Sequence, residues 1–272
     1  MLSYRASSGY YFTQRMADRP SAFVGAWRPT LSLAVFSALL KRRDARRASD
    51  VAERLLADGF RGALTGSLAT EAQLRAHGRP IDQRALNDLD FVVDSFDTIP
   101  ASLANRFLMH HIHPHAPEGK TLLQLVDKES ALRVDLFRAF GTTLTRATMV
   151  DEQTGPLLVL AVEDLVARST AHVCGRLRQG RPIDVKHART FTRLAGLGEP
   201  TRRADAWREH QQEVPGTLEE ATQQANELLV RCPDLLVCET YSAVVTACDQ
   251  CRDCGPFRRA TSDRIVGILG YW

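Results

Sequence analysis

Asp88-Leu89-Asp90, the single Asp135 and the pair Gly66-Ser67 have the residue types and spacing for a reaction at phosphorus. Asp88 and Asp90 lie two apart in an apolar run that ends Phe91-Val92-Val93. In a strand their side chains therefore leave one face while Leu89 and Phe91 leave the other. Asp135 sits between Val134 and Leu136 and also points away from an apolar side. Carboxylates set into strands are costly to bury unless something neutralises them. Divalent Mg²⁺ is the natural partner, because it takes hard oxygen ligands on a rigid platform. Gly66 lets the backbone approach a phosphate, and Ser67 opens a helix whose amides attract anions. An anion cradle beside carboxylate-held metal is the apparatus of phosphoryl or nucleotidyl transfer.

Elements that must position these groups follow from periodicity. A helix is predicted over 31–40, and a second through Val51, Ala52, Leu55 and Leu56, stopped by Gly59. A short strand over 62–65 leads through Gly66-Ser67 into a helix over 68–76. Residues 77–85 read as a loop, 86–94 as a strand and 99–110 as a helix. Runs at 121–126 and 131–137, joined by Asp127-Lys128-Glu129-Ser130, signal a hairpin. Further strands are expected at 144–150 and 156–160. Helices follow over 162–177 and 184–194, then a linker around 196–201. Thr217 and Glu220 form a capping box that opens a last helix through Leu229. The predicted fold class is α/β (α+β): a mixed-sheet core followed by a helical C-terminal region. Its expected divisions are a basic arm and helix at 1–47, the core at 48–160 and helices with a cysteine cluster at 161–272.

The order Gly-Ser, Asp-x-Asp on a strand, then one Asp on a later strand resembles the DNA polymerase beta type nucleotidyltransferase superfamily, over about residues 51–160. Val162-Glu163-Asp164-Leu165-Val166-Ala167-Arg168 and the later Ile183-Asp184-Val185 resemble the AbiEii-like branch, which includes bacterial toxins of toxin–antitoxin systems. Arg168 stands where that pattern usually has Lys, and Asn87 where a basic or hydroxyl residue usually precedes Asp-x-Asp. The resemblance implies a two-metal enzyme that moves a nucleotidyl group from a nucleoside triphosphate to an acceptor hydroxyl and releases pyrophosphate. It implies that Asp88, Asp90 and Asp135 are catalytic and hold two Mg²⁺ ions. It further implies nucleotide binding by Gly66, Ser67, Arg168, Asp184 and Lys186. The implied acceptor is tRNA or another RNA, a protein or a small molecule, and the implied partner of a toxin-like member is an antitoxin. Arg168 keeps the charge a triphosphate needs but cannot shuttle protons as an amine does.

Composition bounds these readings. The chain has 272 residues, 44% hydrophobic and 25% charged, with a net charge of +3. That is ordinary for a globular chain and too balanced to argue for nucleic-acid binding from bulk charge. Its lysines are Lys41, Lys120, Lys128 and Lys186, and arginine supplies the rest of the positive charge. The run Lys41–Arg47 reads as a solvated helix face, with a phosphate-contacting patch as the alternative. No run reaches the roughly 18 apolar residues of a membrane span. The Arg-rich first thirty residues lack the apolar stretch of a secretory signal. Six cysteines without such a signal fit a reducing cytoplasm.

Two clusters remain. His110-His111-Ile112-His113-Pro114-His115 is expected at a helix end, where exposed histidines are common. Cys248-x-x-Cys251-x-x-Cys254, with Cys238 and Cys232 upstream, offers thiolates at zinc-binding spacing, and Cys238 would be the fourth ligand. Reduced thiols are the alternative there, and Cys174 reads as a small core residue. A non-catalytic binding module on a transferase fold, recruiting a partner through that zinc site, is the competing function. A phosphohydrolase using the same carboxylates is a third.

Overall fold

The computed structural model describes residues 33–83, 85–114, 120–150 and 157–238. Two helices open it, α1 (Leu33–Leu39) and α2 (Arg42–Ala57). Burial of Ala45, Ala48, Val51, Ala52 and Leu55 follows the helical repeat of α2, while Arg42, Arg43 and Arg46 stay in water. Lys41, Arg42, Arg43 and Arg46 of the basic run are thus exposed, while Arg47 is half-buried and donates to Ser130 O at 3.0 Å. Gly59, at φ +82°, ends it in a conformation that favours glycine.

The core elements run β1 (Ala63–Leu64), α3 (Gly66–Ala76), β2 (Asp88–Val93), β3 (Phe107–Pro114), β4 (Lys120–Asp127), β5 (Arg133–Arg138), α4 (Thr143–Arg146), β6 (Thr148–Val150) and β7 (Leu157–Val159). The seven strands form one mixed sheet in the order β3-β4-β5-β2-β1-β7-β6. The expected hairpin is β4–β5, antiparallel from Leu122↔Phe137 to Val126↔Arg133. Its second strand runs parallel to β2, with Asp88 opposite Arg133 and Asp90 opposite Asp135. One face of this pair is apolar and closed: Leu89, Phe91, Val134 and Leu136 are all buried.

Two expectations change. Residues 99–110 do not form a helix; a 3₁₀ turn at Ala101–Asn105 leads into β3. Ile99, Leu103 and Phe107 lie four apart and mimic a helical stripe, but pairing of Phe107–Met109 with β4 supplies the backbone bonds instead. The histidine run through Pro114 therefore belongs to a strand, and His115 lies outside the described residues. Residues 144–150 are not all strand, since Thr143–Arg146 make one helical turn before β6.

Four helices follow, α5 (Val162–Arg178), α6 (Val185–Leu194), α7 (Pro200–His210) and α8 (Leu218–Arg231). A small parallel pair, β8 (Ile183–Asp184) and β9 (Leu236–Val237), accompanies them. α5 is the hub, packed against α6, α7 and α8. The capping box at Thr217 and Glu220 forms in both directions. Cys174 is buried on α5 and donates to Gln224 at 3.4 Å. Cys238 is exposed, and Cys248, Cys251 and Cys254 lie outside the described residues. Among the described residues no helix is long and apolar enough to cross a membrane.

Candidate active site

Asp88 and Asp90 leave β2 on the face opposite Leu89 and Phe91, and the β2–β5 register sets Asp135 directly beside Asp90. One carboxylate oxygen from each of the three lies within 4.8 Å of the other two. Oxygens around one Mg²⁺ at ~2.1 Å are separated by about 3 to 4 Å, so this spacing suits a shared cation. Asp135 is 5% exposed, and its Oδ2 accepts from Gln124 Nε2 at 3.0 Å. Its Oδ1 lies 3.1 Å from Arg133 Nε as a charge contact, yet receives no hydrogen bond. Burial raises the Asp135 carboxyl to about 6, against the pull of Arg133. For Asp90, burial and then the charges of Asp88 and Asp135 push the carboxyl well above its ordinary value. Two carboxyls raised by burial, one of them with a buried oxygen that receives no hydrogen bond, converge with Asp88 on a volume that fits a divalent cation.

Arg133, which also pairs with Asp88, is the neighbour sequence reading missed. Its signal was available: it stands two residues before Asp135 and so shares that face.

The turn from β1 into α3 abuts this triad. Thr65 N donates to Asp90 O at 2.8 Å, and Gly66 adopts φ +67°. A Cβ on Gly66 would lie 2.8 Å from Asp90 Cγ, so no larger residue fits unmoved. Thr65 is the N-cap of α3 but makes no side-chain cap bond; its Oγ1 accepts from Arg168 Nη1 at 2.8 Å instead. The N-terminus of α3 therefore keeps its positive end without a side-chain cap.

A cleft of about 550 Å³ joins these groups, within the ~300–1,000 Å³ common for small-molecule sites. Gly66, Ser67, the three aspartates, Arg168 and Lys186 all line it. Arg168, from α5, lies 5.8 Å over the Phe137 ring, and burial lowers its guanidinium from the ordinary value. Lys186 comes from the first turn of α6 and lies 3.5 Å from Asp184. Asp184 is placed differently: it caps α6 by accepting from Lys186 N at 2.7 Å and does not line the cleft. Glu71, buried on α3, ties that helix to α6 through Arg193 at 2.5 Å, which holds the two sides of the cleft together. His172 and His187, in edge contact at 4.8 Å between ring centres, line the cleft beside Lys186 and carried no motif that marked them.

No family model matches the chain, and no curated protein does. Among solved structures, an antigenic nucleotidyltransferase-like protein from Paracoccidioides brasiliensis is similar at 15% identity. The likeness covers 80% of this chain and 99% of that one, with a TM-score of 0.37. At that identity and score it adds nothing to the site's own geometry.

Proposed function

We propose that this chain is a divalent-metal-dependent nucleotidyltransferase of the AbiEii-like, toxin-like branch, acting on a nucleoside triphosphate and an acceptor hydroxyl. The observation that carries the reading is the convergence of Asp88, Asp90 and Asp135, from two adjacent parallel strands, onto one cation-sized volume beside an uncapped helix N-terminus. Asp88, Asp90 and Asp135 would hold Mg²⁺, which supplies positive charge to the triphosphate and eases ionisation of the acceptor hydroxyl. Backbone N–H groups at Gly66 and Ser67 receive the phosphates, and Arg168 and Lys186 offset their charge. Asp135, held beside Asp90 by the β2–β5 register, would help take the proton of the acceptor hydroxyl. The acceptor oxygen bonds to the α-phosphorus, the bond to the β-phosphate oxygen breaks, and pyrophosphate leaves in line. Residues 48–160 bring the carboxylates and the phosphate turn, and the helices after 161 bring the two cations that close the cleft.

The test is transfer of label from α-labelled nucleoside triphosphates, with Mg²⁺, to cell RNA and protein. Transfer that disappears in Asp88→Ala and Asp90→Ala supports the reading. Triphosphate binding without transfer points to a binding module, and free phosphate without a labelled acceptor points to a hydrolase.

A further inference from the structure

Phe140 is 47% exposed and lines the cleft beyond the end of β5. Single exposed apolar side chains are ordinary on a protein surface; the frame around this one is not. Gly141 turns the chain at φ +50°, and a Cβ there would meet the Glu209 carboxylate at 2.6 Å. Glu209 Oε1 accepts from Thr142 N at 3.0 Å and from Thr142 Oγ1 at 2.7 Å. Thr143 N and Oγ1 both donate to Phe140 O. The Phe140 ring meets the buried His210 ring edge-on at 6.2 Å between centres, and His210 is itself held by Asp164 at 2.8 Å. The backbone of Phe140 is thus braced on both sides, and its ring, packed edge-on against a held histidine, remains about half exposed at the cleft. Gln212 lines the same cleft and adopts φ +52°, a left-handed conformation unusual for a residue with a side chain.

Resting on the proposed transfer reaction, we infer that Phe140 is a stacking platform for a nucleobase of the acceptor, in a cleft that Gln212 also lines. A rigid aromatic face binds an unstacked base of any type, because every base has a π-face. An amide side chain pairs with base edges. Sheet order assigns the base to the acceptor rather than the donor. The phosphate turn follows β1, on one side of β2, whereas Asp135 and Phe140 belong to β5 and its extension on the other. Five residue steps carry the chain from Asp135 to Phe140, at most about 17 Å. That is short enough for the base and the reacting hydroxyl to belong to one unpaired RNA end.

The probe is a fluorescently labelled single-stranded RNA pentanucleotide, followed by anisotropy, with ATP–Mn²⁺ binding measured separately by calorimetry. Phe140→Leu should weaken the pentanucleotide roughly tenfold or more and leave ATP–Mn²⁺ affinity within about twofold. Phe140→Trp should restore it, and a pentanucleotide lacking its terminal base should bind wild type as weakly as the intact one binds Phe140→Leu. No pentanucleotide binding by wild type, no loss in Phe140→Leu, or a loss that falls on ATP instead would each overturn the platform. ATP–Mn²⁺ binding that holds while pentanucleotide binding fails sinks the platform alone. Failure of ATP, GTP, CTP and UTP alike to bind wild type with Mn²⁺ sinks the transferase reading.

Discussion

Two sets of carboxylates leave water in this fold and reach opposite outcomes. Asp164 on α5 is buried, which by itself would raise its carboxyl. Arg146 donates to both its oxygens, at 2.9 and 2.6 Å, His210 lies 2.8 Å from one of them, and the carboxyl ends below its ordinary value. Glu209, against the same Arg146 and Thr142, is held at about 2 although burial opposes it. Around Asp90 and Asp135 the balance goes the other way, because burial, joined by the charges of neighbouring carboxylates, outweighs what Arg133 and Gln124 offer. A satisfied buried acid braces a structure; an unsatisfied one is a demand for a cation. The same residue type, at similar depth, is scaffold in one place and chemistry in the other.

Variants should separate the two sets. Asp90→Asn should lower nucleotidyl transfer by about a thousandfold or more, read as label incorporation, while the thermal midpoint of the metal-free protein holds or rises because mutual repulsion is removed. Asp164→Asn should do the reverse, losing about 3–5 kcal/mol of stability in a denaturant titration by leaving Arg146 underpaired. Gly66→Ala should cost about 1–3 kcal/mol, since alanine must hold a left-handed φ against the Asp90 carboxylate. A thermal midpoint unchanged by Asp164→Asn, or lowered as far by Asp90→Asn, would erase the distinction.

The smallest effect is in pH. Asp135 is raised from 3.8 to about 6, so its ionisation penalises the fold fully above about pH 6 and not at all below about 3.8. Asp135→Asn should therefore raise the thermal midpoint of the metal-free protein at pH 7.5 and lose that advantage by pH 4. Glu209, lowered from 4.5 to about 2, stabilises fully above about pH 4.5 and loses that contribution as pH falls through about 2. Glu209→Gln should accordingly be less stable than wild type at pH 7 and converge with it near pH 2.

Much of the acidic site was legible because it rests on local rules. Alternation along one strand puts Asp88 and Asp90 on one face, and a glycine before a helix start marks the tight turn at Gly66. The capping box at Thr217 and the β4–β5 hairpin are likewise short-range. The second set was not legible, since Arg146, Asp164 and Glu209 come from three separated segments and carry no shared motif. β3 was misread because Ile99, Leu103 and Phe107 imitate a helical stripe, and the strand exists only through its pairing with β4. Phe140 carries no sequence motif, and its setting comes from Glu209 and His210, tens of residues away.

By itself the sequence determined which faces of its strands are acidic and where a helix begins on glycine, because period and turn chemistry act within a few residues. Only the tertiary structure decided that β5 pairs with β2 in the register Asp90↔Asp135, and which buried acids would find donors. Both depend on contacts between residues tens of positions apart, where burial and charge are settled by what else the fold brings near.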